Sequence, residues 1–463
     1  MNNDRWIALE ILKEIEEKDA YSNITINKFI QHYKLEEAAF IRELVYGVIE
    51  NKIYLDYIIQ KLVKSGFNKL KIEIKLILEL GIYQLAFLTK TPDYAVIDES
   101  VKLVKKYSYR HAGFVNGVLR NYIRQRDTIK LPRKEENLIE YLSVKYSYPK
   151  WIIEEFFNQY HVEFTESLLR SLNTTPALTV RINTLKTDKN TLIKELRARN
   201  IEAHPCGYTE DGLVLKGSNI IGNDLFEKGY YQAQDESSMI AIKALNPKPG
   251  ETIIDVCAAP GGKTLYMAEL MRNKGLILAR DIHEHKLKLL TDRAAIHGIG
   301  IVHAEVFDSL RTDVSMKEQA DKVLVDAPCS GFGVIRRKPE IKYNRDKKDI
   351  SHFANMQYNI LCQASPYVKE GGVLMYTTCT LLLEENDDII AKFLDTHGDF
   401  EIEPLYMHKE DKDLPDEKKI YNVSGQNRRM PGTVQLYPDI HHTDGFYICK
   451  MRKTNNHKGG RLC

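Results

Sequence analysis

The spacing of apolar residues divides the chain into regions of different structure. Over residues 1–126 apolar side chains recur every three or four positions, as in residues 6–12 and 72–80, which predicts a bundle of amphipathic helices. Over residues 140–235 the pattern is mixed, because short apolar runs such as residues 177–183 stand beside a helical stretch. This mixture predicts a small α+β subdomain.

The rest of the chain, residues 236–452, alternates apolar runs with helical patterns. Strands are predicted at 252–256, 276–279, 301–306, 322–325 and 372–376. Because parallel strands need crossover helices, the alternation predicts an α/β Rossmann-like core around a doubly wound, mostly parallel sheet. The polar residues 453–463 are expected to form a disordered tail. The predicted fold is therefore multidomain, with an all-α domain, an α+β subdomain and an α/β core.

Cysteine usage and hydropathy narrow the class of protein. The seven cysteines are scattered and include no Cys-x-x-Cys pair, which argues against a disulfide framework and a zinc ribbon, and no metal is predicted. No stretch approaches the ~18 consecutive apolar residues of a transmembrane helix. The first residues are polar and lack the apolar segment of a secretion signal. We therefore expect a cytoplasmic protein without a membrane partner.

Charge is unevenly distributed, although the formal net charge is only +2. Residues 1–60 carry 7 Lys/Arg and 11 Asp/Glu, whereas residues 61–130 carry 14 Lys/Arg and 6 Asp/Glu. An excess of this size can attract the phosphates of a nucleic acid. An ordinary solvated helical surface would have the same composition, so charge alone leaves both interpretations open.

A turn of small residues separates the first core strand from the helix that follows it. Its residues are Cys257, Ala258, Ala259, Pro260, Gly261, Gly262 and Lys263. Small residues let the backbone approach a ligand at a helix N-terminus. The Gly-x-Gly-x-x-Gly pattern of nicotinamide sites is absent, and a phosphate-binding loop would need glycine in place of Cys257. The pattern favours S-adenosylmethionine, with a nucleotide hydrolase that uses Gly262-Lys263-Thr264 as the rival. The thiols of Cys257, Cys362 and Cys449 are expected to pack in the core.

Two aspartates are placed to recognise a nucleoside. Asp281 ends the second core strand, about twenty residues after the glycine pair, where a carboxylate can bind ribose hydroxyls. Asp308 follows the third strand and can reach the adenine edge. For each of them the alternative interpretation is a helix N-cap.

Two cysteines follow neighbouring strands of the predicted sheet. Cys329 lies in the turn after the fourth strand, and this turn begins with Asp326. Cys379 lies in a Thr-rich turn after the fifth strand. The carboxyl ends of such strands line one crevice, so both thiols are expected to face the cofactor. A thiolate that adds to C6 of a cytosine makes C5 able to accept a methyl group, once the base has left its stack. Asp326 can then bind the pyrimidine edge and is also a candidate cofactor-binding residue, and Lys263 can lower a thiol pKa or bind the substrate. A packing role for both thiols is the alternative.

In combination these stretches resemble the RNA cytosine-C5 methyltransferase family, the Sun/NSUN group. Further matching stretches are Arg181-Ile182-Asn183, Gln234-Asp235, Arg336-Arg337-x-Pro339, Glu384-Glu385-Asn386 and Asp444-Gly445-Phe446-Tyr447. The resemblance implies that Cys379 is the nucleophile and that Cys329 assists release of the methylated base, with Asp326 and Lys263 beside them. DNA cytosine methyltransferases use the Pro-Cys turn instead, so the reversed assignment of the thiols is an alternative. Phe332 is bulkier than expected for its turn.

The N-terminal region is similar to NusB-type RNA-binding domains, on residues 38–48, 79–85 and 114–120. Together with the core, this similarity implies a monomeric bacterial enzyme that uses S-adenosylmethionine to methylate small-subunit (16S) ribosomal RNA, as free RNA rather than as an assembled subunit. The alternatives are a tRNA cytosine-C5 methyltransferase and, from another class, a non-catalytic RNA-binding or antitermination factor.

Overall fold

Two separately packed units make up the structure, a computed structural model that describes residues 4–18, 20–35, 38–63, 66–405 and 430–455. The first unit comprises Met1–Thr174 and Ile335–Arg345, and the second comprises Thr175–Val334 and Asp346–Cys463. In the part of the chain that the structure describes, no helix is long and apolar enough to cross a membrane. Most of the predicted tail, residues 456–463, lies outside the described residues.

The first unit is helical throughout its described residues. Its helices are α1 (Asp4–Lys18), α2 (Ser22–Tyr33), α3 (Ala39–Glu50), α4 (Lys52–Leu62), α5 (Ile72–Phe87), α6 (Asp93–Tyr107), α7 (Ala112–Gln125), α8 (Leu138–Tyr146), α9 (Lys150–Gln159) and α10 (Val162–Ser171). Apolar residues lie all around α5, so this helix is buried, and α1, α3, α6 and α7 pack against it. The predicted all-α domain is confirmed.

Helices α8–α10 pack within the first unit, whereas the sequence analysis grouped residues from 140 onward with the strands. Helix α8 packs on α4, and the Tyr54 amide donates a hydrogen bond to the Ser147 hydroxyl at 3.0 Å. The side chains of Ile152 and Phe156 on α9 are fully buried. Amphipathic periodicity shows that a helix has an apolar face but not which neighbour covers it, so the three-part division of the chain stays a proposal.

Residues Ile335–Arg345 follow the Cys329 turn in sequence but belong to the helical unit. The amide and hydroxyl of Ser22 donate hydrogen bonds of 3.0 and 2.7 Å to the buried Glu340 carboxylate. The fully buried Lys342 donates to the backbone oxygen of Glu50 at 2.8 Å. Burial lowers the pKa of Lys342 to about 7 and raises the pKa of Glu50 to about 7. The Arg-Arg-x-Pro stretch therefore leads into the helical unit rather than into the predicted core.

The second unit contains two sheets. The smaller sheet consists of β1 (Leu178–Ile182), β2 (Glu202–Pro205), β3 (Gly212–Lys216) and β4 (Tyr231–Ala233), in the antiparallel order β2-β3-β1-β4. Helices α11 (Lys189–Arg197) and α12 (Asp224–Glu227) accompany these strands. The strand expected at 177–183 is therefore present as β1.

The larger sheet forms the core of the second unit. Its strands are β5 (Thr252–Asp255), β6 (Leu276–Asp281), β7 (Val302–Val306), β8 (Ala320–Asp326), β9 (Val368–Thr378), β10 (Phe400–Ile402), β11 (Val434–Leu436) and β12 (Phe446–Lys453). The order is β10-β12-β9-β8-β5-β6-β7, with β11 paired to β12. The five strands β5–β9 pair in parallel, and β12 runs antiparallel to β9, β10 and β11. The predicted mostly parallel sheet is confirmed, and β10–β12 extend it beyond the predicted strands.

Helices accompany the strands of the larger sheet, and the candidate site lies at the carboxyl ends of the parallel strands. They are α13 (Glu236–Leu245), α14 (Gly262–Leu270), α15 (Glu284–His297), α16 (Lys347–Ala364), α17 (Asp387–Thr396) and α18 (Pro438–His441). Strands β9, β8, β5 and β6 are consecutive neighbours and parallel, so their carboxyl ends meet at one edge. The turns that the sequence analysis singled out follow these four strands.

Candidate active site

The small-residue turn follows β5 and includes the first two residues of α14, Gly262 and Lys263. Gly261 has φ +104°, in the left-handed region, and a Cβ atom there would lie 2.7 Å from Cγ of Leu290. The backbone amide of Ala258 donates to the Arg280 oxygen on β6 at 2.8 Å. Glycine is therefore required at position 261, because the turn packs tightly on α15 and the neighbouring strand.

Asp281 ends β6, as the sequence predicted, and its carboxylate reaches back to this turn. It accepts hydrogen bonds from the Ala259 amide at 3.2 Å and from the His283 amide at 2.9 Å. The N-cap position of α15 is His283, so Asp281 is not the N-cap residue. Asp308 follows β7 and accepts a 3.0 Å hydrogen bond from the Leu310 amide within a turn.

Asp255 is a buried acid that the sequence analysis did not single out. It is the last residue of β5 and accepts a 2.7 Å hydrogen bond from the hydroxyl of Thr264. Its other oxygen, Oδ1, is buried without a hydrogen-bond partner among the described residues. Burial raises the pKa of Asp255 to about 7. Its position at a strand end, like those of Asp281 and Asp326, was the available signal.

A lysine–aspartate pair lies between the small-residue turn and the end of β8. Nζ of Lys263 donates to Oδ2 of Asp326 at 2.7 Å, and the Thr377 hydroxyl donates to Oδ1 at 2.8 Å. Nζ of Lys263 also lies 5.0 Å from the ring centroid of Phe446. Burial lowers the pKa of Lys263, but nearby acids outweigh this effect, so the pKa is raised and the side chain is a cation.

The two thiols lie side by side, with Sγ of Cys329 3.2 Å from Sγ of Cys379. Both are free cysteines and both are partly buried. The parallel register pairs Asp326 with Thr377, so the turns that follow β8 and β9 are adjacent. The Gly333 amide fixes this arrangement by donating to the Cys379 oxygen at 2.9 Å. The hydrogen bond with Cys379 and burial raise the pKa of the Cys329 thiol well above its usual value.

Two glycines allow this close approach of the turns. The Gly445 amide donates to the Gly333 oxygen at 2.9 Å, and a Cβ atom on Gly333 would lie 2.0 Å from the Gly445 oxygen. Phe332 beside them is fully buried. The bulky residue that the sequence analysis noted therefore contributes to packing under the turn.

Arg181 on β1 hydrogen-bonds to the first residue of α14, Gly262. Its guanidinium is fully buried and makes two 2.9 Å hydrogen bonds to the equally buried Glu269 carboxylate. It also donates to the Gly262 oxygen at 2.8 Å and to the Gln234 side chain. The small subdomain thus supports the first turn of the helix that carries Lys263.

The structure also bears on the thiol of Cys257 and on metal binding. Burial raises the pKa of the Cys257 thiol well above its usual value, so this thiol is not activated. Among the described residues no cluster of three His, Cys, Asp or Glu side chains could hold a metal ion. Of the predicted site residues, the structure therefore brings together two pairs at the ends of neighbouring strands, Lys263 with Asp326 and Cys329 with Cys379. Asp281 contacts the small-residue turn.

Comparison with known families gives three matches along the chain. Residues 242–452 match the family described as "16S rRNA methyltransferase RsmB/F". Residues 2–124 match the NusB family, and residues 148–221 match an RsmF/B-like ferredoxin-like domain. The three matches follow one another along the chain and cover most of it.

Similar proteins match over nearly the whole length. The probable ribosomal RNA small subunit methyltransferase B of Bacillus subtilis is 39% identical over 453 residues, which are 97% of this chain and 98% of the relative. The protein of the same description from Synechocystis is 33% identical over 462 residues, which are 98% of this chain and 100% of that relative. A crystal structure named PH0851 is 28% identical, with a TM-score of 0.80 over 97% of this chain and 99% of that one.

Proposed function

The chain belongs to the ribosomal RNA small subunit methyltransferase B family, and on that premise we propose that it methylates C5 of a cytosine in 16S ribosomal RNA through a covalent bond to Cys379. The observation that carries this proposal is the pair of thiols 3.2 Å apart, beside the Lys263–Asp326 ion pair. This arrangement provides a nucleophile, a second thiol and a cation at the strand edge where a cofactor binds in such sheets.

We propose S-adenosylmethionine as the cofactor, which supplies an electrophilic methyl group when bound. The residues that would hold it are those of the turn at 257–263, with Asp281 and Asp308 for the nucleoside. One feature of the site fits such a ligand: a buried oxygen of Asp255, at the end of β5, has no partner among the described residues. The positively charged sulfonium of S-adenosylmethionine would be attracted by the acidic residues near the turn.

The chemistry of the chain's own residues follows from their positions. The Cys379 thiolate donates an electron pair to C6 and forms a C–S bond, and the displaced ring electrons make C5 nucleophilic. After C5 is methylated, a base takes the C5 proton, the C–S bond breaks, and its electrons return to Cys379. Cys329, next to that sulfur, assists this release. Asp326 and Lys263 orient the pyrimidine edge.

Methylation in the cell tests the proposal directly. In bisulfite sequencing, a methylated cytosine is protected from conversion. Ribosomal RNA from a strain without the gene should show one small-subunit cytosine that is no longer protected, and restoring the gene should restore this protection. Loss of protection in a transfer RNA instead would favour the tRNA alternative. Unchanged protection in every RNA would contradict the proposed activity.

We expect Asp281→Ala to weaken S-adenosylmethionine binding about 10–150-fold, because hydrogen bonds to a charged group contribute about 1.5–3 kcal/mol. Calorimetric titration measures the affinity. Part of the loss will come from the Ala259 amide, which the substitution leaves without its acceptor. Asp292→Ala, on the exposed face of α15, is the matched control and should bind normally. Unchanged affinity in Asp281→Ala would remove this residue from the cofactor site.

The helical unit has a groove in which RNA can bind. Helices α6 and α7 border this groove of about 560 Å³, whose lining includes Tyr94 and the cations Lys105 and Arg120 as well as the acids Asp93 and Asp98. Tyr94 is 77% exposed, and so can stack on an unpaired base. Arg120 and Arg124 are exposed and hydrogen-bond to neutral asparagine side chains, which leaves their charge available for phosphates.

We expect Arg120→Gln/Arg124→Gln to weaken RNA binding and to lower the slope of log affinity against log salt by about 0.7–0.9 for each phosphate that the variant no longer neutralises. Fluorescence anisotropy over a range of salt concentrations measures both quantities. Lys18→Gln/Lys28→Gln, which removes two exposed cations outside the 61–130 stretch, is the control. Equal slopes in the double variant and the parent would show that this surface does not bind phosphates.

We propose that the enzyme is a cytoplasmic monomer that acts on free small-subunit RNA rather than on an assembled subunit. A target base that must leave its stack is easier to reach in unassembled RNA, because fewer contacts hold it. Methylation assays on naked 16S RNA and on small subunits, with analytical ultracentrifugation of the enzyme, test these points.

A further inference from the structure

The loop after β7 carries Asp308, the acid predicted to reach the adenine edge, and both neighbours of Asp308 are bound to the site. The amide of Phe307 donates a 3.1 Å hydrogen bond to the backbone oxygen of Asp281. The hydroxyl of Ser309 donates at 2.5 Å to the backbone oxygen of Val256, the residue before the small-residue turn. Asp308 therefore lies beside the ends of β5 and β6, and its side chain is 45% exposed and accessible to a ligand.

The buried side chain of Arg280, on β6, contacts both ends of this loop, residues 307–313. Nε donates a 2.9 Å hydrogen bond to Glu305, which precedes the loop on β7, and Nη2 donates at 2.5 Å to Asp313, the last residue of the loop. The guanidinium carbon also lies 4.2 Å from the ring centroid of Phe307, the first residue of the loop. One buried cation thus holds the beginning and the end of the loop.

A buried tyrosine supports the same loop near its end. The phenol oxygen of Tyr367 accepts a 2.8 Å hydrogen bond from the amide of Asp313 and donates at 3.4 Å to the backbone oxygen of Arg311. The ring centroid of Tyr367 lies 5.6 Å from the guanidinium carbon of Arg280. Arg280 and Tyr367 therefore fix the loop through residues other than Asp308, so their effect on a ligand is indirect.

We propose that Arg280 is a positioning residue for the adenine half of the cofactor: it holds the 307–313 loop where the Asp308 carboxylate accepts a hydrogen bond from the adenine amino group. The inference rests on the proposed function, because it requires S-adenosylmethionine as the cofactor. Burying a guanidinium is costly, whereas apolar side chains could fill the same space without directed bonds. The hydrogen bonds of Arg280 therefore define where the loop lies rather than only stabilising the fold.

Replacing adenine with hypoxanthine distinguishes this role from a general effect on folding. Hypoxanthine carries a carbonyl oxygen where adenine carries the amino group, so it cannot donate a hydrogen bond to a carboxylate there. A site that hydrogen-bonds one group of a ligand discriminates against an analogue that lacks this group. The ratio of two affinities measured on one sample does not depend on the fraction of folded protein, so a loss of stability alone leaves the ratio unchanged.

Calorimetric titration of the full chain without RNA gives the dissociation constants of S-adenosylhomocysteine and S-inosylhomocysteine, and their ratio measures the adenine preference. We expect a preference of at least about tenfold in the parent, the usual effect of one hydrogen bond to a charged group. In Arg280→Met it should fall below about threefold, because S-adenosylhomocysteine binds more weakly. Arg280→Lys keeps the cation and should recover part of the preference. A parent without a preference, or a folded Arg280→Met variant with the parent's preference, would overturn the inference.

The variant Asp313→Asn tests the same contact from its other side and leaves the buried cation in place. Its amide nitrogen cannot accept a hydrogen bond from Nη2 of Arg280, while the remaining oxygen can still accept from the amide of Ser315. We expect the adenine preference to fall at least about threefold. An unchanged preference in this variant would contradict the proposal even if Arg280→Met does not fold.

Two control variants and the activity of the parent separate the possible failures. Arg293→Met removes an exposed cation of α15 and should change neither affinity. Asp281→Ala should weaken both ligands alike and keep the preference, because the ribose hydroxyls are common to both. Binding of neither ligand by the parent would overturn the proposed cofactor and this inference with it. An adenine preference that depends on Arg280, in a protein that methylates no RNA, would overturn the proposed function and leave this inference intact.

Discussion

Replacing Cys379 with alanine should abolish RNA methylation and leave no covalent RNA complex. Without this sulfur no group adds to C6, so C5 stays unreactive toward the methyl donor. A radioactive methyl-transfer assay measures the activity, and a denaturing gel with labelled RNA shows whether an adduct forms. The loss should be at least several thousandfold, as for other enzymes that lose their nucleophile.

Replacing Cys329 with alanine should have the opposite effect on the adduct. Cys379 can still attack and C5 can still be methylated, but release becomes slow, so protein should accumulate on RNA as a denaturant-resistant complex. Formation of this complex should require S-adenosylmethionine. Cys362→Ala, a partly buried cysteine on α16, is the matched control and should methylate RNA without accumulating an adduct.

The gel distinguishes the alternatives for the thiol pair. If both cysteines only fill space, the two variants should lose stability and neither should give an adduct. If the assignment is reversed, the adduct should appear in Cys379→Ala instead. Because Sγ atoms 3.2 Å apart could each approach one substrate atom, distance does not decide between these outcomes, and the gel is the deciding measurement.

The parallel part of the fold and most of the site residues could be predicted from the sequence. Each of the strands β5–β9 coincides with an apolar run between helical patterns, and parallel pairing then places the residues after β8 and β9 together. The positions of Cys329 and Cys379 follow from this rule. Asp281 likewise follows from its place at the end of β6.

Other features depend on contacts that no local pattern encodes. Strands β10 and β11 span three residues each, too few to show an alternation. The segment Ile335–Arg345 belongs to the helical unit because of Glu340 and Lys342, whose partners are 318 and 292 residues away in sequence. The buried Glu385 carboxylate likewise accepts a hydrogen bond from Ser330, which lies 55 residues before it. Tertiary hydrogen bonds of this kind appear only in three dimensions.

The ion pair between Arg181 and Glu269 connects the small sheet to the helix that follows the small-residue turn. Both side chains are fully buried, so the charge of each is balanced by the other rather than by water. The guanidinium lies 4.9 Å from the ring centroid of Tyr266 and bonds the Gly262 oxygen. Removing the arginine alone would leave the buried Glu269 carboxylate beside the His297 ring, 3.5 Å away, which balances the charge only when it is protonated.

We therefore expect Arg181→Met to destabilise the second unit by about 3–5 kcal/mol, the cost of breaking a buried ion pair from one side. For a unit of this size the melting temperature should fall by roughly 6–20 °C, which scanning calorimetry measures. Because Arg181 fixes the first turn of α14, the affinity for S-adenosylmethionine should also fall at temperatures where the protein is folded.

Two comparisons show whether the uncompensated charge is the cause. Arg181→Met/Glu269→Met removes both charges and should recover at least about 2 kcal/mol, because apolar residues often replace a buried pair without loss. Arg199→Met breaks the exposed pair with Asp224 and should cost no more than about 1 kcal/mol. If the double variant is no more stable than Arg181→Met, the loss comes from the arginine's other hydrogen bonds. The small sheet then supports the small-residue turn through the Gly262 and Gln234 contacts instead.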